Sequence, residues 1–324
     1  MTTSMRYVVI LPTLNGSATI QKALDSILNQ TVPPACISVV DGGSTDGNFE
    51  LLQRYYVRQR YKKRRRFLLQ RTHLKDKHSI VIVHHYNQAI AEAGTDFDYW
   101  FFHADDCVFP PSYVEDLAAA MERDRVDVGS GDWREASRFD LQKAPTGAGR
   151  LVSRRMMATM NWRFPEMYGY ESYVLSKAEQ VGYKCRCYSG VRFELLTKFG
   201  VEAWHPLPED GVGEGHNFYE WGYGMRCLGY TPAYVLLRMV HDFLWNTLIP
   251  KRAALKMAYD YFSTYWRKTE DPYCRPIQDE AYMRFMARKH NAVVISVLLY
   301  PIRLLRNFAV RIYRLLRRRP RVEN

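Results

Sequence analysis

Apolar residues along this chain fall into two alternating rhythms. Tyr7-Val8-Val9-Ile10-Leu11, Ile37-Ser38-Val39-Val40 and Tyr99-Trp100-Phe101-Phe102 are short, nearly unbroken runs, as expected of strands buried on both faces of a parallel sheet. Between the first two, Ile20, Ala23, Leu24, Ile27 and Leu28 recur at helical spacing after the capping residues Asn15-Gly16-Ser17. Helices are also predicted over Phe49 to Tyr56, Ser112 to Arg123 and Met156 to Met160, and a strand over Val126 to Gly129. Strand, turn and helix in this order predict an α/β fold whose ligand sits at the carboxyl ends of the strands.

The polar residues gather at those ends. Pro12, Thr13, Asn15 and Asp41 follow the first two strands, where a ligand would lie. Asp41 opens a loop, Asp41-Gly42-Gly43-Ser44-Thr45-Asp46-Gly47, in which permissive glycines and hydroxyls precede a helix, so that backbone N–H groups can face an anion. The third strand runs into His103-Ala104-Asp105-Asp106 and then the turn at Pro110-Pro111. Asp105, Asp106 and His103 are hard ligands suited to Mg²⁺ or Mn²⁺, ions that bind through one or two carboxylates together with substrate phosphates. Taken alone, an Asp-Asp pair is more often a solvated loop, and the residues upstream decide the matter.

Val-Ile-Leu-Pro12-Thr13-Leu-Asn15, Val-Val-Asp41-Gly-Gly-Ser44-Thr-Asp46-Gly and a hydrophobic strand ending in Ala-Asp105-Asp106 together resemble the family 2 glycosyltransferases of GT-A fold, over roughly the first 130 residues. The resemblance implies a Rossmann-like, mostly parallel central sheet flanked by helices. It implies an inverting transfer of a sugar, hexosyltransferase-like, from a UDP- or GDP-sugar to a hydroxyl acceptor with a divalent ion. On this basis Pro12, Thr13, Asn15, Asp41, Ser44 and Asp105 are expected to bind the donor, Asp41 by accepting a hydrogen bond from a base N–H. Asp105, Asp106 and His103 are expected at the metal, with His205 as a further ligand and His216 behind it. His84 to Ala91 resembles the short helix before the acidic strand, with Tyr86-Asn87 where the family commonly has Arg-Asn. Glu171 falls where the second of a family Glu-Asp pair lies, with Tyr170 replacing the first, and is the expected general base. Asp132, Glu166 and Asp210 stand in reserve.

Charge and cysteine usage refine this picture. Of a net charge of +12, one basic cluster lies between Arg58 and Arg66, in a stretch from about Val57 to Lys77 that reads as an insertion or an extended helix end. Another lies between Arg303 and Arg321. Helices are expected over Ala233 to Ile249, Arg252 to Lys268 and Asn291 to Arg319, the last amphipathic and suited to an anionic membrane surface. The chain therefore divides on expectation into a catalytic domain, 1–232, and a helical, membrane-associated region, 233–324. The expected acceptor is a glycan, lipid-linked or close to the membrane. The cysteines lack paired spacing and no charged-then-apolar leader is visible, so a reduced, cytoplasmic protein held peripherally on the membrane is expected. A nucleotidyltransferase would call for a glycine-rich basic loop where Leu11-Pro12-Thr13-Leu14-Asn15 is neutral. A nucleic-acid-binding protein would call for aromatic strand motifs or zinc spacings that are lacking, so no nucleic-acid partner is expected.

Overall fold

The computed structural model describes residues 5–62, 66–73, 78–133, 144–197, 221–245, 251–266 and 271–300. In chain order the first elements are β1 (Tyr7–Thr13), α1 (Ile20–Leu28), β2 (Cys36–Asp41), α2 (Asn48–Lys62), β3 (Arg66–Arg71), α3 (His78–Ala93) and β4 (Tyr99–Phe102). There follow β5 (Cys107–Val108), α4 (Tyr113–Asp124), β6 (Val128–Asp132), β7 (Arg150–Ser153), α5 (Arg154–Thr159), α6 (Tyr170–Gln180), β8 (Cys185–Arg192) and β9 (Glu194–Leu195). The chain continues through α7 (Trp221–Cys227), α8 (Pro232–Leu244), α9 (Lys251–Ser263) and α10 (Glu280–Leu298).

The main sheet has seven strands in the order β3-β2-β1-β4-β7-β6-β8. Its pairs are parallel except those of β7, which runs against both β4 and β6. Successive strand residues serve opposite faces, as the two-residue repeat of a strand requires. Val8, Ile10, Val40, Trp100 and Phe102 pack with Ile80, Val83, Tyr86 and Ile90 of α3. Tyr7, Val9, Leu11, Val39 and Phe101 pack with Ile20, Leu24 and Ile27 of α1 and Val114 and Leu117 of α4. The near-continuous apolar runs are thus strands covered on both sides.

The stretch after Val57 is corrected in part. α2 does extend to Lys62, but Arg66–Arg71 is not an insertion; it is the edge strand β3, parallel to β2. Arginines at both ends and a half-exposed face hid it from the apolar pattern. β7 and β8 were likewise not anticipated. α10 begins at Glu280, well before Asn291, because Asp279 caps it by accepting from the Tyr282 N–H at 2.9 Å. Residues 301–324, which hold most of the expected amphipathic helix, lie outside the described residues. Cys227, Leu228, Cys274, Tyr282 and Met286 share the buried cluster on the α3 face of the sheet, so the C-terminal helices are seated on the α/β body. Among the described residues no helix is long and apolar enough to cross a membrane.

Candidate active site

The site is assembled where β1, β2 and β4 end. Asn48, at the first position of α2, is fully buried and ties the end of β1 to the loop after β2. Its Nδ2 donates to Asp41 Oδ1 at 3.0 Å, to Thr13 Oγ1 at 3.1 Å and to Ser44 Oγ at 3.3 Å. Asp41 Oδ2 accepts from the backbone N–H groups of Gly43 and Ser44, each at 3.0 Å. Arg71, at the end of β3, lies 3.5 Å from the same oxygen and donates to the Ser44 carbonyl at 2.8 Å. Ser44 Oγ in turn accepts from the Asn15 N–H at 2.8 Å, and Asn15 Oδ1 accepts from the Thr45 N–H at 2.9 Å. Asp41 has no exposed surface, and with these bonds it shapes the loop.

The acidic turn is held from two sides. Asp105 Oδ2 accepts from Thr13 Oγ1 at 2.5 Å, and Gly16 sits so close that a Cβ there would lie 2.4 Å from the same oxygen. β5 pairs with β9, Cys107 opposite Leu195, while the Asp106 carbonyl accepts from the Leu196 N–H at 2.8 Å and Asp106 Oδ2 from Thr197 Oγ1 at 2.5 Å. Burial pushes the Asp105 carboxyl up to about 6; the Thr13 hydrogen bond opposes this and the neighbouring Asp106 charge adds to it. Two adjacent hard oxygen donors, one pushed toward protonation by burial and, less, by a like charge, fit a divalent cation.

His103, two residues before Asp105, is enclosed by the core, and among the described residues its buried Nε2 has no hydrogen-bond partner. Its ring is fully buried, edge-on to Phe101 at 5.8 Å and to Phe109 at 4.8 Å, with Nδ1 2.5 Å from the Ala104 carbonyl oxygen. Burial pushes its pKa down to about 3. Among the described residues no group of three His, Cys, Asp or Glu side chains is arranged to hold a metal. His205, His216 and Asp210 lie outside the described residues.

Glu171 enters from the other half of the sheet. It lies in the first turn of α6, and its carboxylate rests against Gly147, where a Cβ would be 2.7 Å from Oε1. Arg150, almost fully buried at the start of β7, ties these pieces together: Nε donates to the Thr146 carbonyl at 2.8 Å and Nη1 to the Glu171 carbonyl at 3.2 Å. Because β7 is antiparallel, Arg150 pairs with Phe102, the last residue of β4. Tyr86 is buried within reach of the charges of Glu171 and Asp105. Burial, then the Glu171 charge and, more weakly, Asp105, push its phenol well above the ordinary tyrosine range. Asn87 grips the backbone of Phe164, accepting from its N–H at 2.7 Å and donating to its carbonyl at 3.0 Å.

His84 and His85 have local partners: His84 is 3.6 Å from Glu166, and His85 Nε2 is 2.7 Å from Thr72 Oγ1. Of the reserve carboxylates, Asp132 is fully buried and Glu166 is paired with Arg163 at 2.6 Å. Asn48, Arg71, Gly16, Gly147 and Arg150 were missed from sequence. Only Asn48 left a signal, as a capping-type residue directly after Asp46-Gly47.

A mostly parallel sheet with one reversed strand, a carboxylate pair at the end of its central strand and another acid at the same end of the sheet are the arrangement of a GT-A fold. The model of glycosyl transferase family 2 matches residues 8–200, more than half the chain, and the protein belongs to that family. A search of curated proteins returned no match. Among solved structures, the mannosyltransferase PcManGT from Pyrobaculum calidifontis, in complex with GDP-Man and Mn²⁺, is 18% identical with a TM-score of 0.52, over 95% of this chain and 81% of that one. S. aureus TarS 1-349 in complex with UDP is 16% identical with a TM-score of 0.50, over 90% and 84%. Against S. aureus TarS the match covers 82% of this chain but only 44% of the TarS chain, at 17% identity and a TM-score of 0.48. These likenesses concern the fold.

Proposed function

We propose that the protein is an inverting, metal-dependent glycosyltransferase that moves a sugar from a UDP- or GDP-sugar to a hydroxyl of a lipid-linked or membrane-proximal glycan. The observation that carries this reading is the meeting, at one end of the sheet, of two carboxylate sites, each facing a glycine. Asp105, next to Asp106, lies against Gly16, and Glu171 lies against Gly147. The complexes of PcManGT with GDP-Man and Mn²⁺ and of TarS with UDP support the choice of donor and ion.

In this reading Pro12, Thr13, Asn15 and the Ser44 loop, stiffened by Asp41, Asn48 and Arg71, frame the nucleotide. Asp105 and Asp106 would hold Mn²⁺ or Mg²⁺, which when bound would supply charge neutralisation for the diphosphate leaving group. Glu171 takes the proton of the acceptor hydroxyl as its oxygen bonds to the anomeric carbon and the bond to the diphosphate oxygen breaks. Attack opposite the leaving group inverts that carbon. The division at 232, the peripheral attachment through the basic C-terminal stretch, and a cytoplasmic setting belong to the same proposal.

Glu171→Gln tests it. A general base contributes on the order of 10² to 10⁴ in rate with little demand on donor affinity. The variant is expected to bind donor and Mn²⁺ like the parent, melt within a few degrees of it, and lose at least roughly a hundredfold in kcat. Preserved kcat with a lowered melting temperature would make Glu171 a helix-terminus acid only.

A further inference from the structure

The helices that follow the α/β body are built the wrong way round for a water-facing surface. α8 turns Val235 and Asp242 inward; the Asp242 carboxylate is fully buried and accepts from Arg238 Nε at 2.6 Å. Its opposite side presents Leu236, Val240, Phe243 and Leu244, each between 37% and 54% exposed, at positions that share one helix face. Trp245 follows at 67% exposed. α9, packed on α8, repeats the arrangement: Asp260 is buried against Lys256, while Leu255, Tyr259 and, just beyond the helix, Tyr265 and Trp266 are exposed. α10 also packs on α8, through His290 stacked on Tyr234 and tilted against Tyr230, and then leaves the body. Val293, Ile295, Val297, Leu298, Leu299 and Tyr300 are all exposed. In the described residues before Trp221, large exposed apolar side chains occur only singly, at Val57 and Val181, which is ordinary for a protein surface.

We propose that the outward face of α8, with the adjoining ends of α9 and α10, docks on an anionic lipid bilayer. The proposal rests on the membrane-proximal acceptor reading and deepens it, because it moves attachment from the C-terminal tail to the folded body. Charge complementarity selects the occupant. Lys251 and Arg252 are exposed at the start of α9, and directly after Tyr300 the sequence carries Arg303, Arg306, Arg311, Arg314 and Arg317 to Arg319. A second copy of the chain would bring one +12 body against another, whereas an anionic leaflet attracts both the arginines and the basic start of α9. Tryptophan and tyrosine at the rim of an apolar patch suit the headgroup level of a bilayer. With no spanning helix among the described residues, the patch lies on the surface and does not cross it.

The test uses the full chain and vesicles of phosphatidylcholine with or without phosphatidylglycerol, read by co-sedimentation and by quenching of tryptophan with brominated lipid. In one variant Leu236→Glu, Val240→Glu and Leu244→Glu are combined; in another, Arg314→Glu, Arg317→Glu and Arg318→Glu. Since burying each large apolar side chain is strongly favourable, the α8 variant is expected to bind vesicles at least roughly tenfold more weakly at low and high salt. Its donor turnover without vesicles and its melting temperature should match the parent. The arginine variant should lose only the salt-sensitive part of binding. Parent-like binding by the α8 variant, with binding lost in the arginine variant, would overturn the docking face and leave the membrane-proximal reading standing. A parent that ignores vesicles but forms a dimer abolished by the α8 changes would overturn it in favour of a second copy. A parent that neither binds vesicles nor dimerises would overturn the docking face and the membrane reading together, while donor turnover would still report on the enzyme.

Discussion

Gly16 offers a sharp test of the donor side, because its importance rests on space alone. Replacing it with alanine would set a methyl group 2.4 Å from Asp105 Oδ2 and 2.8 Å from Thr13 Oγ1. Ordinary carbon–oxygen contact needs roughly another 1 Å, so the carboxylate or the loop must move by about that distance. Overpacking of this kind costs about 1–3 kcal/mol, modest for a body of this size. Its chemical effect should be larger. The shift breaks the Thr13–Asp105 hydrogen bond, of a charge-assisted type worth about 1.5–3 kcal/mol, and a displacement of about 1 Å can lower rates by about a hundredfold. Gly16→Ala is therefore expected to fold, to melt within several degrees of the parent, and to lose on the order of a hundredfold in donor turnover, with Mn²⁺-dependent nucleotide binding weakened in thermal-shift titrations. Gly190→Ala, where a Cβ meets nothing within 4 Å, is the control and should be silent. Turnover by Gly16→Ala within about threefold of the parent would refute the reasoning, since a rate so insensitive to about 1 Å of displacement would not run through Asp105.

Asp105→Asn should remove Mn²⁺-dependent nucleotide binding and turnover without lowering the melting temperature, because a buried carboxylate beside Asp106 is itself costly; unchanged turnover in the folded variant would exclude the metal role. Asn48→Ala takes away the donor shared by Asp41, Thr13 and Ser44 and should cost about 2–3 kcal/mol, seen as a lower denaturant midpoint with a similar slope. For His290, burial lowers the pKa to about 4 from 6.5. The unfolded chain then binds the extra proton first, so its contribution is present above about pH 6.5 and is lost as pH falls toward 4. The span corresponds to roughly 3 kcal/mol at most. His290→Phe should flatten that part of the stability profile, and an unchanged acid slope would remove the assignment.

Much of this architecture was legible because a parallel sheet buried on both faces leaves unbroken apolar runs. β1, β2 and β4 were visible in that way, and the residues at their ends followed. β3 was not, because an edge strand has only one fully covered face and its arginines look like a solvated helix end. Yet that strand delivers Arg71 to Asp41. β8, with glycine, arginines and many exposed positions, was hidden for the same reason. Asp105 and Asp106 could be recognised by type and order. Side-chain direction could not: whether His103 joins the carboxylates or the aromatic core depends on the packing of Phe101 and Phe109, which sequence spacing does not encode. The roles of Gly16 and Gly147 are invisible for a related reason, since what matters is the neighbour that would collide with a side chain.

The single reversed strand, β7, divides the enzyme into two parts with different freedom to change. The strands β3, β2, β1 and β4 deliver their loops in the forward direction to the Asp41 and Asp105 side. β7 returns the chain to the same end from the opposite direction, so Gly147, Arg150 and, through Arg150, the start of α6 arrive on a separate stretch of backbone. Loops on that returning stretch can lengthen, shorten or change character without disturbing the hydrogen bonds around Asn48. On the proposed assignment, the donor framework and the acceptor base are therefore carried by separate stretches of backbone joined through Arg150.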